Sequence, residues 1–481
     1  MKSHSVEKIG GTSMNNYAAI RDNIIKRPRG KDTLYNRIFV VSAYGGMTDA
    51  LLEHKKTSEP GIYALFANSL GDDSWRAKLQ SLKSDMFAIN TGLFGEGETL
   101  TEANDFIGER LDDAEQCLLD LQRLCQHGHF ELSAHLATVR EMLASIGEAH
   151  SAWNTAKLLQ RDGLNACFVD LTAWRCGKQT SLDKRILDAF QALEPSEQIP
   201  IATGYAHSEE GLMSTFDRGY SEMTFSRVAV LTKATQAVIH KEFHLSTADP
   251  RLVGEQNAIA IGRTNYDVAD QLANLGMEAI HPKAAQGLRC NNITLSVRNT
   301  FEPDHPGTLI TGDYVSDSPR VEIIAGCKGI YALEVFDQGM TANVDYYDQQ
   351  LISLIRRFKG RVVSKDLNAN TITHYLATNL KTIKRIITEI KNTFPEAEIN
   401  QSKVAIVSAI GSNMKVPGIL AQTVGALAEQ NISVLAMHQT MRQVDMQFVI
   451  NEDDYELAVK SLHRCLVEIH KHGRAVSWVS E

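Results

Sequence analysis

The first 300 residues alternate short apolar runs with longer amphipathic segments. The apolar runs are continuous rather than alternating, as in strands that are buried on both faces of a parallel sheet. A helix is predicted at 140–160, ended by Gly163. This alternation predicts an α/β sandwich with ligand-binding loops at the carboxyl ends of the strands. The runs are 37–43, 165–171, 198–205 and 236–241.

Residues 50–140 follow a different pattern. They are mostly charged amphipathic helix, rich in Leu, Gln and Glu. We expect a helical insertion that packs beside the sheet.

After about residue 315 the pattern becomes strand, helix, strand, strand, helix, and it occurs twice. This order is typical of the ferredoxin-like split βαβ fold. We expect one domain at 1–310, a second at 311–400 and a third at 401–481. The tail "AVSWVS" is a candidate closing strand for either C-terminal unit. The first repeat has strands "VEIIAG", "IYALEVF", "GRVVSKD" and "NTITHYLA" with helices 344–358 and 378–393; the second has strands 403–411, 432–439 and 444–451 with helices 417–430, where Pro417 lies near the first turn, and 453–470.

Composition narrows the class of protein. The net charge of −9, from 49 Lys and Arg against 58 Asp and Glu, argues against a nucleic-acid binder. No run approaches about 18 apolar residues, and the N-terminus lacks the apolar stretch of a signal peptide, so we expect no membrane segment. The seven cysteines are dispersed without CxxC spacing, which favours no zinc or redox motif and suits the reducing cytoplasm.

The stretch "VEKIGGTSM" indicates a phosphate site. Lys8 ends a strand-like run and is followed by Gly10 and Gly11, then by the hydroxyls of Thr12 and Ser13. Glycines that adopt positive φ let backbone amides approach an anion, and lysine adds a point charge. Neither GxxxxGK[ST] nor GxGxxG is present. The alternative is a tight strand-to-helix turn with an exposed lysine.

Three further loops follow predicted strands. "VVSAYGGMT" (40–48) offers hydroxyls and paired glycines, and "STADPR" (246–251) combines hydroxyl, carboxylate and guanidinium groups. "DRGYSEMT" places Arg218 beside Gly219 and Ser221, where a guanidinium is suited to bidentate capture of a carboxylate. A surface arginine in a turn is the alternative for Arg218.

Together these residues resemble the aspartokinases, within the amino-acid kinase superfamily. The two C-terminal units resemble paired ACT domains, the regulatory module of that family. The resemblance implies an amino-acid kinase αβα sandwich with a mostly parallel sheet, followed by two ferredoxin-like ACT domains. The matching motifs, in order, are "KIGGTS", "VVSA…MT", "SIGEAHSA" (145–152), "RGYSEMT", "TADPR" and "GMEAIHP" (276–282).

The resemblance implies an activity. Aspartokinases transfer the γ-phosphoryl group of MgATP to the side-chain carboxylate of L-aspartate, giving 4-phospho-L-aspartate, the first step toward lysine, threonine and methionine. ATP and Mg²⁺ are therefore the expected cofactors, with no metal-ligating residue assigned. Since the acceptor carboxylate is already deprotonated, the site needs positive charge and amide donors more than a general base.

The resemblance also assigns roles by position. Glu148 is expected to hold the α-ammonium of aspartate, and Arg218 with Ser221 its α-carboxylate, which leaves the distal carboxylate free to react. The implied catalytic residues are Lys8, Gly10, Gly11 and Arg218. The implied substrate-binding residues are Thr12, Ser13, Ser42, Thr48, Glu148, Arg218 and Ser221. The implied ATP-binding residues are Lys8, Gly10, Gly11, Ser13, Lys241, Thr247, Asp249 and Arg251.

The chain departs from the family pattern at three places. Tyr220 and Glu222 replace the second glycine and the aspartate of the RGGSD loop. Lys241 stands at an acidic position, and Glu278 stands where many members have lysine. These variants resemble the specialised aspartokinases of ectoine biosynthesis. A second Gly-Glu pair ends at Glu109, which we interpret as a solvated helix residue.

The C-terminal pair is expected to be regulatory. The loop 411–418 would face a small amino acid, lysine or threonine or both, with Gly411, Asn413 and Gly418 as effector residues. The alternative is a loop that only joins strand to helix. Exposed sheet edges favour a homodimer or homotetramer.

Two other functions were weighed. One is a kinase acting on glutamate or N-acetylglutamate, against which the ACT-like tail and the "RGYS" loop argue. The other is a catalytically silent amino-acid sensor, which the retained Lys8, Glu148 and Arg218 argue against.

Overall fold

The chain divides into two compact units. The computed structural model describes residues 3–27, 34–54, 57, 59–68, 73–176, 179–216, 219–277 and 279–468. One unit comprises Met1–His244 and Ile280–Gly312, and the other comprises Leu245–Ala279 and Asp313–Glu481. The predicted boundary near residue 310 stays a prediction, but the segment 245–279 clusters with the C-terminal part of the chain.

Fourteen strands occur among the described residues. They are β1 Ser5–Ile9, β2 Arg37–Val41, β3 Ala166–Val169, β4 Ile199–Thr203, β5 Gln236–Lys241, β6 Arg263–Asn265, β7 Thr294–Asn299, β8 Thr308–Thr311, β9 Ile323–Phe336, β10 Arg361–Leu367, β11 Thr371–Ala377, β12 Glu398–Ile410, β13 Val434–Gln439 and β14 Asp445–Asn451.

The helices of the described residues range in length from a single turn to more than seven turns. They are α1 Gly11–Met14, α2 Tyr17–Ala19, α3 Met47–Leu51, α4 Ile62–Asn68, α5 Ser74–Phe94, α6 Glu98–Cys125, α7 Leu136–Arg161, α8 Leu182–Phe190, α9 Leu212–Phe216, α10 Tyr220–Leu231, α11 Pro250–Val253, α12 Tyr266–Asn274, α13 Pro282–Cys290, α14 Val344–Arg357, α15 Leu380–Thr393, α16 Ile419–Ala428 and α17 Tyr455–Leu466.

The first unit is built on a mostly parallel sheet, as predicted. Its strands lie in the order β3-β4-β2-β1-β5-β7-β8, and only the β7–β8 pair among them is antiparallel. Every residue of β2 and β4 is buried, which explains their continuous apolar sequence. The carboxyl ends of β1, β2, β4 and β5 therefore meet at one edge of the sheet.

Helices fill the predicted insertion. The long α5 and α6 pack with α7 through a buried cluster that includes Trp75, Leu111 and Leu143. Helix α7 ends two residues before Gly163, whose φ of +80° an L residue rarely adopts. This stop is the one that the sequence predicted.

The second unit contains one six-stranded antiparallel sheet, in the order β10-β11-β9-β12-β14-β13. The prediction of two separate strands at "VEIIAG" and "IYALEVF" is wrong, because β9 runs unbroken through both. A register shift in its pairing with β12 lies at Lys328 and Gly329, and Gly329 has a φ of +77°. The two long strands β9 and β12 are thus shared by both ferredoxin-like halves.

Alternating side chains give this sheet two packed faces. In β9, Tyr331 and Leu333 face a core formed with α14 and α15, whereas Ile330 and Ala332 pack with Val268 and other residues of α12. The helix predicted to include Pro417 begins later, at Ile419, after Gly418 with a φ of +93°. The tail "AVSWVS" lies outside the described residues. Among those that are described, no helix is long and apolar enough to cross a membrane.

Candidate active site

Three loops of the first unit leave the sheet at the same edge. Lys8 is aligned with Val40 of β2 and with Ile239 of β5, and all three strands run in the same direction. The β1–α1 turn, the β2–α3 loop and the chain after β4 therefore come together. The parallel register thus assembles the predicted phosphate and substrate loops into one site.

Lys8 is buried and ion-paired, so the alternative of an exposed lysine is wrong. Only 6% of its surface is exposed, and its Nζ lies 3.9 Å from Oε1 of Glu222. The other oxygen of Glu222 accepts a hydrogen bond from the backbone N–H of His281 at 2.5 Å. Glu222 thereby positions the ammonium group. The sequence motifs mark Glu222 only as a departure from the family pattern and do not indicate this contact.

Gly10 and Gly11 serve close approach rather than left-handed backbone. Gly10 has a φ of −72°, and Gly11 begins helix α1, so the expected positive φ is wrong. A Cβ on Gly11 would lie 2.9 Å from the carbonyl oxygen of Ala43. The Gly10 amide already donates to the His240 carbonyl oxygen at 3.1 Å. Amide donors for an anion therefore start at Gly11, where a helix leaves its first N–H groups without internal acceptors.

The hydroxyl groups of the two glycine-containing loops differ in their exposure to solvent. Ser13 is buried, and its Oγ is 2.8 Å from Oγ1 of Thr300. Ser42 and Thr48 are partly exposed. The amide of Ser42 donates to Ile9, and its carbonyl oxygen accepts from Ser151 on α7 at 2.8 Å. These backbone contacts fix the β2–α3 loop while leaving the Ser42 side chain at the site.

Glu148 is the buried carboxylate of this site. It lies on α7 with 1% of its surface exposed, and its Oε2 has no hydrogen-bond partner among the described residues. Burial raises the pKa of Glu148 to about 8, against the opposing effects of the Lys8 charge and of a hydrogen bond from Tyr220. A buried carboxylate with a spare oxygen is well suited to bind a cation.

Glycines make room around this carboxylate. A Cβ on Gly204, which follows β4, would lie 2.8 Å from Cβ of Ser221 and 3.1 Å from Oε1 of Glu148. A Cβ on Gly147 would lie 2.9 Å from Cβ of Ala43. The competing Glu109 is instead exposed on α6 and pairs with Arg175 at 3.5 Å. The structure therefore supports Glu148 over Glu109.

Residues 220–224 of the "RGYSEMT" segment form the start of α10. Ser221 is buried beside Gly204, and Gly219 packs under the imidazole of His281. A Cβ on Gly219 would lie 2.4 Å from Cδ2 of that ring, so a larger residue here would require the imidazole to shift. Arg218 and Glu278 lie outside the described residues, and their predicted roles stay predictions.

A cavity of about 680 Å³ lies beside this site, between α6, α7 and the loops after β3 and β4. None of the predicted site residues lines it. Its walls carry Asp113, Asp120, Glu141, Glu209 and Glu210 against a single arginine. Such an acidic surface is unsuited to two anionic substrates.

Comparison with known proteins decides the family. The sequence model of the amino acid kinase family matches residues 5–299, and that of an ACT domain matches residues 407–466. Aspartate kinase Ask_Ect of Stutzerimonas stutzeri (strain A1501) is 52% identical over 474 residues, which cover 98% of this chain and 99% of that protein. This chain belongs to the aspartate kinase family. The assignment made from the sequence motifs is confirmed.

More distant relatives agree. Bifunctional aspartokinase/homoserine dehydrogenase 1 of Arabidopsis thaliana is 24% identical over 96% of this chain, which spans about half (51%) of that protein. The crystal structure of E. coli aspartokinase III in complex with aspartate and ADP has a TM-score of 0.71 at 18% identity. It covers 96% of this chain and 100% of its own. This likeness shows the aspartate kinase fold.

The residues predicted to face the nucleotide are divided between the two units. Lys241 ends β5 in the first unit, and its carbonyl oxygen accepts from the Thr300 amide at 2.8 Å. Thr247, Asp249 and Arg251 belong to the second unit. Asp249 caps α11 and binds the side chain of Arg251, whose guanidinium is 87% exposed. Arg251 therefore supplies the exposed positive charge of the predicted nucleotide loop, residues 246–251.

Thr247 is already engaged within the second unit. Its Oγ1 lies 2.9 Å from Nε2 of His463 on α17, and its carbonyl oxygen accepts from Ile324 at 2.8 Å. The predicted contact of the Thr247 hydroxyl with a nucleotide therefore competes with an existing hydrogen bond. Its main chain is hydrogen-bonded to β9 of the six-stranded sheet.

The predicted effector loop is held by contacts with the segment 316–320. Gly411 passes the carbonyl oxygen of Arg320, where a Cβ would lie 2.5 Å away. Asn413 donates its side-chain amide to the carbonyl oxygen of Ser316 at 2.8 Å. Gly418 supplies the left-handed residue before α16. Asn413 thus has a structural role in this loop of the ACT region.

Proposed function

We propose that this chain transfers the γ-phosphoryl group of MgATP to the side-chain carboxylate of L-aspartate and releases 4-phospho-L-aspartate. One observation carries the proposal. Two oppositely charged side chains, Lys8 and Glu148, are both buried where the parallel strands end, in a member of the aspartate kinase family. Burial of charge is costly unless a partner compensates it, and the substrates carry the complementary charges.

Glu148 binds the α-ammonium group of aspartate in this proposal. Its unpartnered Oε2 and raised pKa mean that the ligand-free carboxyl gains most from an incoming cation. Ser221 lies against the same pocket through Gly204 and binds the α-carboxylate together with Arg218. Thr12, Ser42 and Thr48 position the distal carboxylate.

Lys8 stabilises the group in transfer. It is fixed by Glu222 next to the amides that begin with Gly11. Preorganised cations and amide donors stabilise the charge that develops on equatorial oxygens of a phosphoryl group. Bound Mg²⁺ would neutralise charge on the ATP phosphates, as it does when held chiefly by phosphates and water. Ser13 and Gly10 shape the proposed phosphate-binding turn between β1 and α1. The proposed contacts of the nucleotide are Lys241, Thr247, Asp249 and Arg251.

The second unit is proposed to sense an amino acid, lysine or threonine or both, and to assemble the chain into a homodimer or homotetramer in the cytoplasm. The ACT match at 407–466 supports the regulatory part. The 52% identity to Ask_Ect supports a specialised role in ectoine synthesis.

Steady-state kinetics test the proposal. ADP release is followed with aspartate, glutamate and N-acetylglutamate as acceptors, and the aspartate series is repeated with lysine and threonine. We expect turnover with aspartate and little with the other acceptors. Preference for glutamate or N-acetylglutamate would instead make the chain a kinase of that acceptor. Absence of ADP release with every acceptor would favour the sensor.

A further inference from the structure

A group of polar side chains is buried between the helical insertion and α7. Asn90 lies on α5, and His150 and Asn154 lie one turn apart on α7; each has 1% or less of its surface exposed. Oδ1 of Asn90 accepts a hydrogen bond from Nδ2 of Asn154 at 2.8 Å and lies 2.7 Å from Nε2 of His150. These three residues form the Asn90 network, in which one amide of the insertion holds two side chains of α7.

The network is neutral and incompletely hydrogen-bonded. Burial lowers the pKa of His150 to about 3, so its imidazole is uncharged near neutral pH. Since the amide oxygen of Asn90 can only accept, Nε2 of this ring carries the hydrogen and donates it. Nδ1 of His150 and Oδ1 of Asn154 are then buried acceptors without a donor among the described residues. Such acceptors lower stability, so stability alone would favour apolar side chains here.

The network reaches Tyr44, in the middle of the β2–α3 loop. Nδ2 of Asn154 also donates to the hydroxyl oxygen of Tyr44 at 3.3 Å. The imidazole of His150 meets the Tyr44 ring edge-on, with 5.3 Å between the ring centroids. Tyr44 is 5% exposed, and it belongs to an apolar cluster with Ile89 and Leu93 of α5. The insertion therefore shares an apolar cluster with Tyr44 and also reaches it through α7.

Tyr44 lies between the two loop residues whose hydroxyl groups the proposed function places on the distal carboxylate of aspartate, Ser42 and Thr48. Its carbonyl oxygen accepts from the amide of Met47 at 3.0 Å, where α3 begins. The loop is short, because β2 ends at Val41, so a displaced Tyr44 ring shifts both hydroxyl groups. A misplacement of about 1 Å can lower an enzymatic rate by about 100-fold, so the position of this ring bears on catalysis.

We propose that Asn90 is a positioning residue for phosphoryl transfer. It holds His150 and Asn154 against Tyr44, and Tyr44 in turn keeps the β2–α3 loop in the geometry that binds the acceptor carboxylate. The helical insertion thereby takes part in the reaction without touching a substrate, a role that the sequence motifs did not indicate. This inference rests on the proposed function, since the loop hydroxyls contact aspartate only in that assignment. The alternative is a network that only stabilises the packing of α5 against α7.

Asn90→Leu tests the proposal in the full-length protein. Leucine is similar in size to asparagine but can neither accept a hydrogen bond from His150 and Asn154 nor donate one. We expect kcat/KM for aspartate to fall by about tenfold or more, because the loop is misplaced, while the KM for ATP stays nearly unchanged. ADP release gives both constants, and the melting temperature is measured on the same samples.

A stability control separates positioning from packing. Leu79→Ala opens a cavity on the same helix, at a fully buried position in the cluster around Trp75, which does not include Tyr44. The positions of Leu79 and Asn90 are about 16 Å apart along the helix axis. We expect Leu79→Ala to lower the melting temperature at least as much as Asn90→Leu does, and to leave kcat/KM for aspartate nearly unchanged.

Two further variants test the route from Asn90 to the loop. Asn104→Ala removes the α6 oxygen that accepts from the Asn90 amide at 3.0 Å, at a partly buried position where water can replace it, so we expect only a small change in kcat/KM. Tyr44→Leu removes the ring through which the network acts. Asn90→Leu should therefore add little to its effect in the double variant.

The outcomes distinguish this inference from the proposed function. Near-normal aspartate kinetics in Asn90→Leu would overturn the positioning role while wild-type turnover still supported the kinase. An equal loss in Leu79→Ala, or additive losses in the double variant, would leave the network a structural role only and overturn the inference as well. Absence of ADP release by the wild-type protein would overturn both.

A second substitution covers a failure to fold. If Asn90→Leu does not fold, Asn90→Ser replaces it in the same comparison and under the same criteria. The serine side chain is too short to bridge His150 and Asn154, yet it leaves room for water at these buried polar groups.

Discussion

At the residue scale, the site is defined by charges that the protein removes from water. Lys8 has a carboxylate partner at 3.9 Å in Glu222, and its charge partly offsets the rise that burial causes in the pKa of Glu148. Because that pKa is about 8, the Glu148 carboxyl is largely protonated at neutral pH in the ligand-free protein, and Glu222 is the carboxylate that pairs with Lys8. An incoming ammonium group favours the ionised form of Glu148, so we expect the two glutamates to have different roles.

Lys8→Ala is expected to lower turnover by about a hundredfold or more, because a preorganised cation is lost from the transition state. Lys157→Ala on the exposed side of α7 is the control and should keep normal turnover. The measurement is kcat by ADP release, with melting temperature as a check on folding. Near-normal kcat in Lys8→Ala would remove this residue from the chemical step.

Glu148→Gln is expected to raise the KM for aspartate by about tenfold or more and to leave that for ATP nearly unchanged. The amide keeps the shape of the carboxylate but loses its charge. Glu109→Gln, on the exposed face of α6, should change neither constant. A loss of ATP affinity in Glu148→Gln would contradict the assignment to the ammonium group.

The pH dependence follows from the same residue. Since the pKa of Glu148 is about 8 in the ligand-free protein, the carboxyl is largely protonated below that pH and must lose its proton to pair with an ammonium group. Therefore kcat/KM for aspartate should rise with pH and level off above about 8. The Lys8 ammonium, the Tyr220 hydroxyl and the amides of Tyr205 and Ala43 face this carboxyl. The same inflection in Glu148→Gln would assign it to another group.

Sequence motifs identified Lys8 and Glu148 but not the pairing of Lys8 with Glu222. Each motif is contiguous, and its residue types report the chemistry directly. The pairing depends on how α10 and the chain around His281 pack over β1, which no local pattern records. The conformation of Gly10 was missed for a similar reason, since glycine permits both positive φ and close approach.

At the element scale, loop shape depends on a few contacts that a methyl group would block. The chain after β4 passes so close to β2 and α10 that a Cβ on Gly204 would lie 2.8 Å from the Val41 carbonyl oxygen. Most helices and strands were predictable because their apolar periods are clear. The unbroken β9 was not, since Lys328 and Gly329 look like a turn in sequence and form an irregularity within one strand instead.

Gly204→Ala tests this crowding. We expect a higher KM for aspartate and a lower melting temperature, because the new methyl group displaces Ser221 and Glu148. Gly92→Ala is the matched control, since a Cβ there meets nothing within 4 Å on helix α5. Unchanged aspartate kinetics in Gly204→Ala would mean that the loop after β4 yields without moving the substrate residues.

At the scale of the whole molecule, the division into two compact units does not follow the order of the sequence motifs, because the segment 245–279 belongs to the second unit. Motif order placed 245–279 with the first 300 residues, yet Ala248 packs in one core of the second unit and Leu272 in another. Sequence order cannot reveal this, because the apolar residues of α12 suit any core. The proposed nucleotide loop, residues 246–251, therefore belongs to the unit that carries the ACT match.

A chain that ends at Gly312 is expected to be poorly soluble and nearly inactive. Removal of residues after 312 exposes the apolar residues of α11 and α12 that pack against the six-stranded sheet of the second unit. Size-exclusion chromatography, thermal unfolding and ADP release compare it with the full-length protein. A soluble and active fragment that has merely lost feedback would show that 245–279 folds without this sheet.

The shared strands β9 and β12 also limit how this chain can be recombined. Each strand serves both ferredoxin-like halves, so a crossover that replaces one half must cut through hydrogen-bonded ladders that the other half needs. Hybrid enzymes that exchange both halves together, with the segment 245–279 included, would keep every ladder whole. A new effector specificity could therefore be acquired by recombination only if both halves and the segment 245–279 are exchanged together. Smaller changes in specificity must arise from point substitutions.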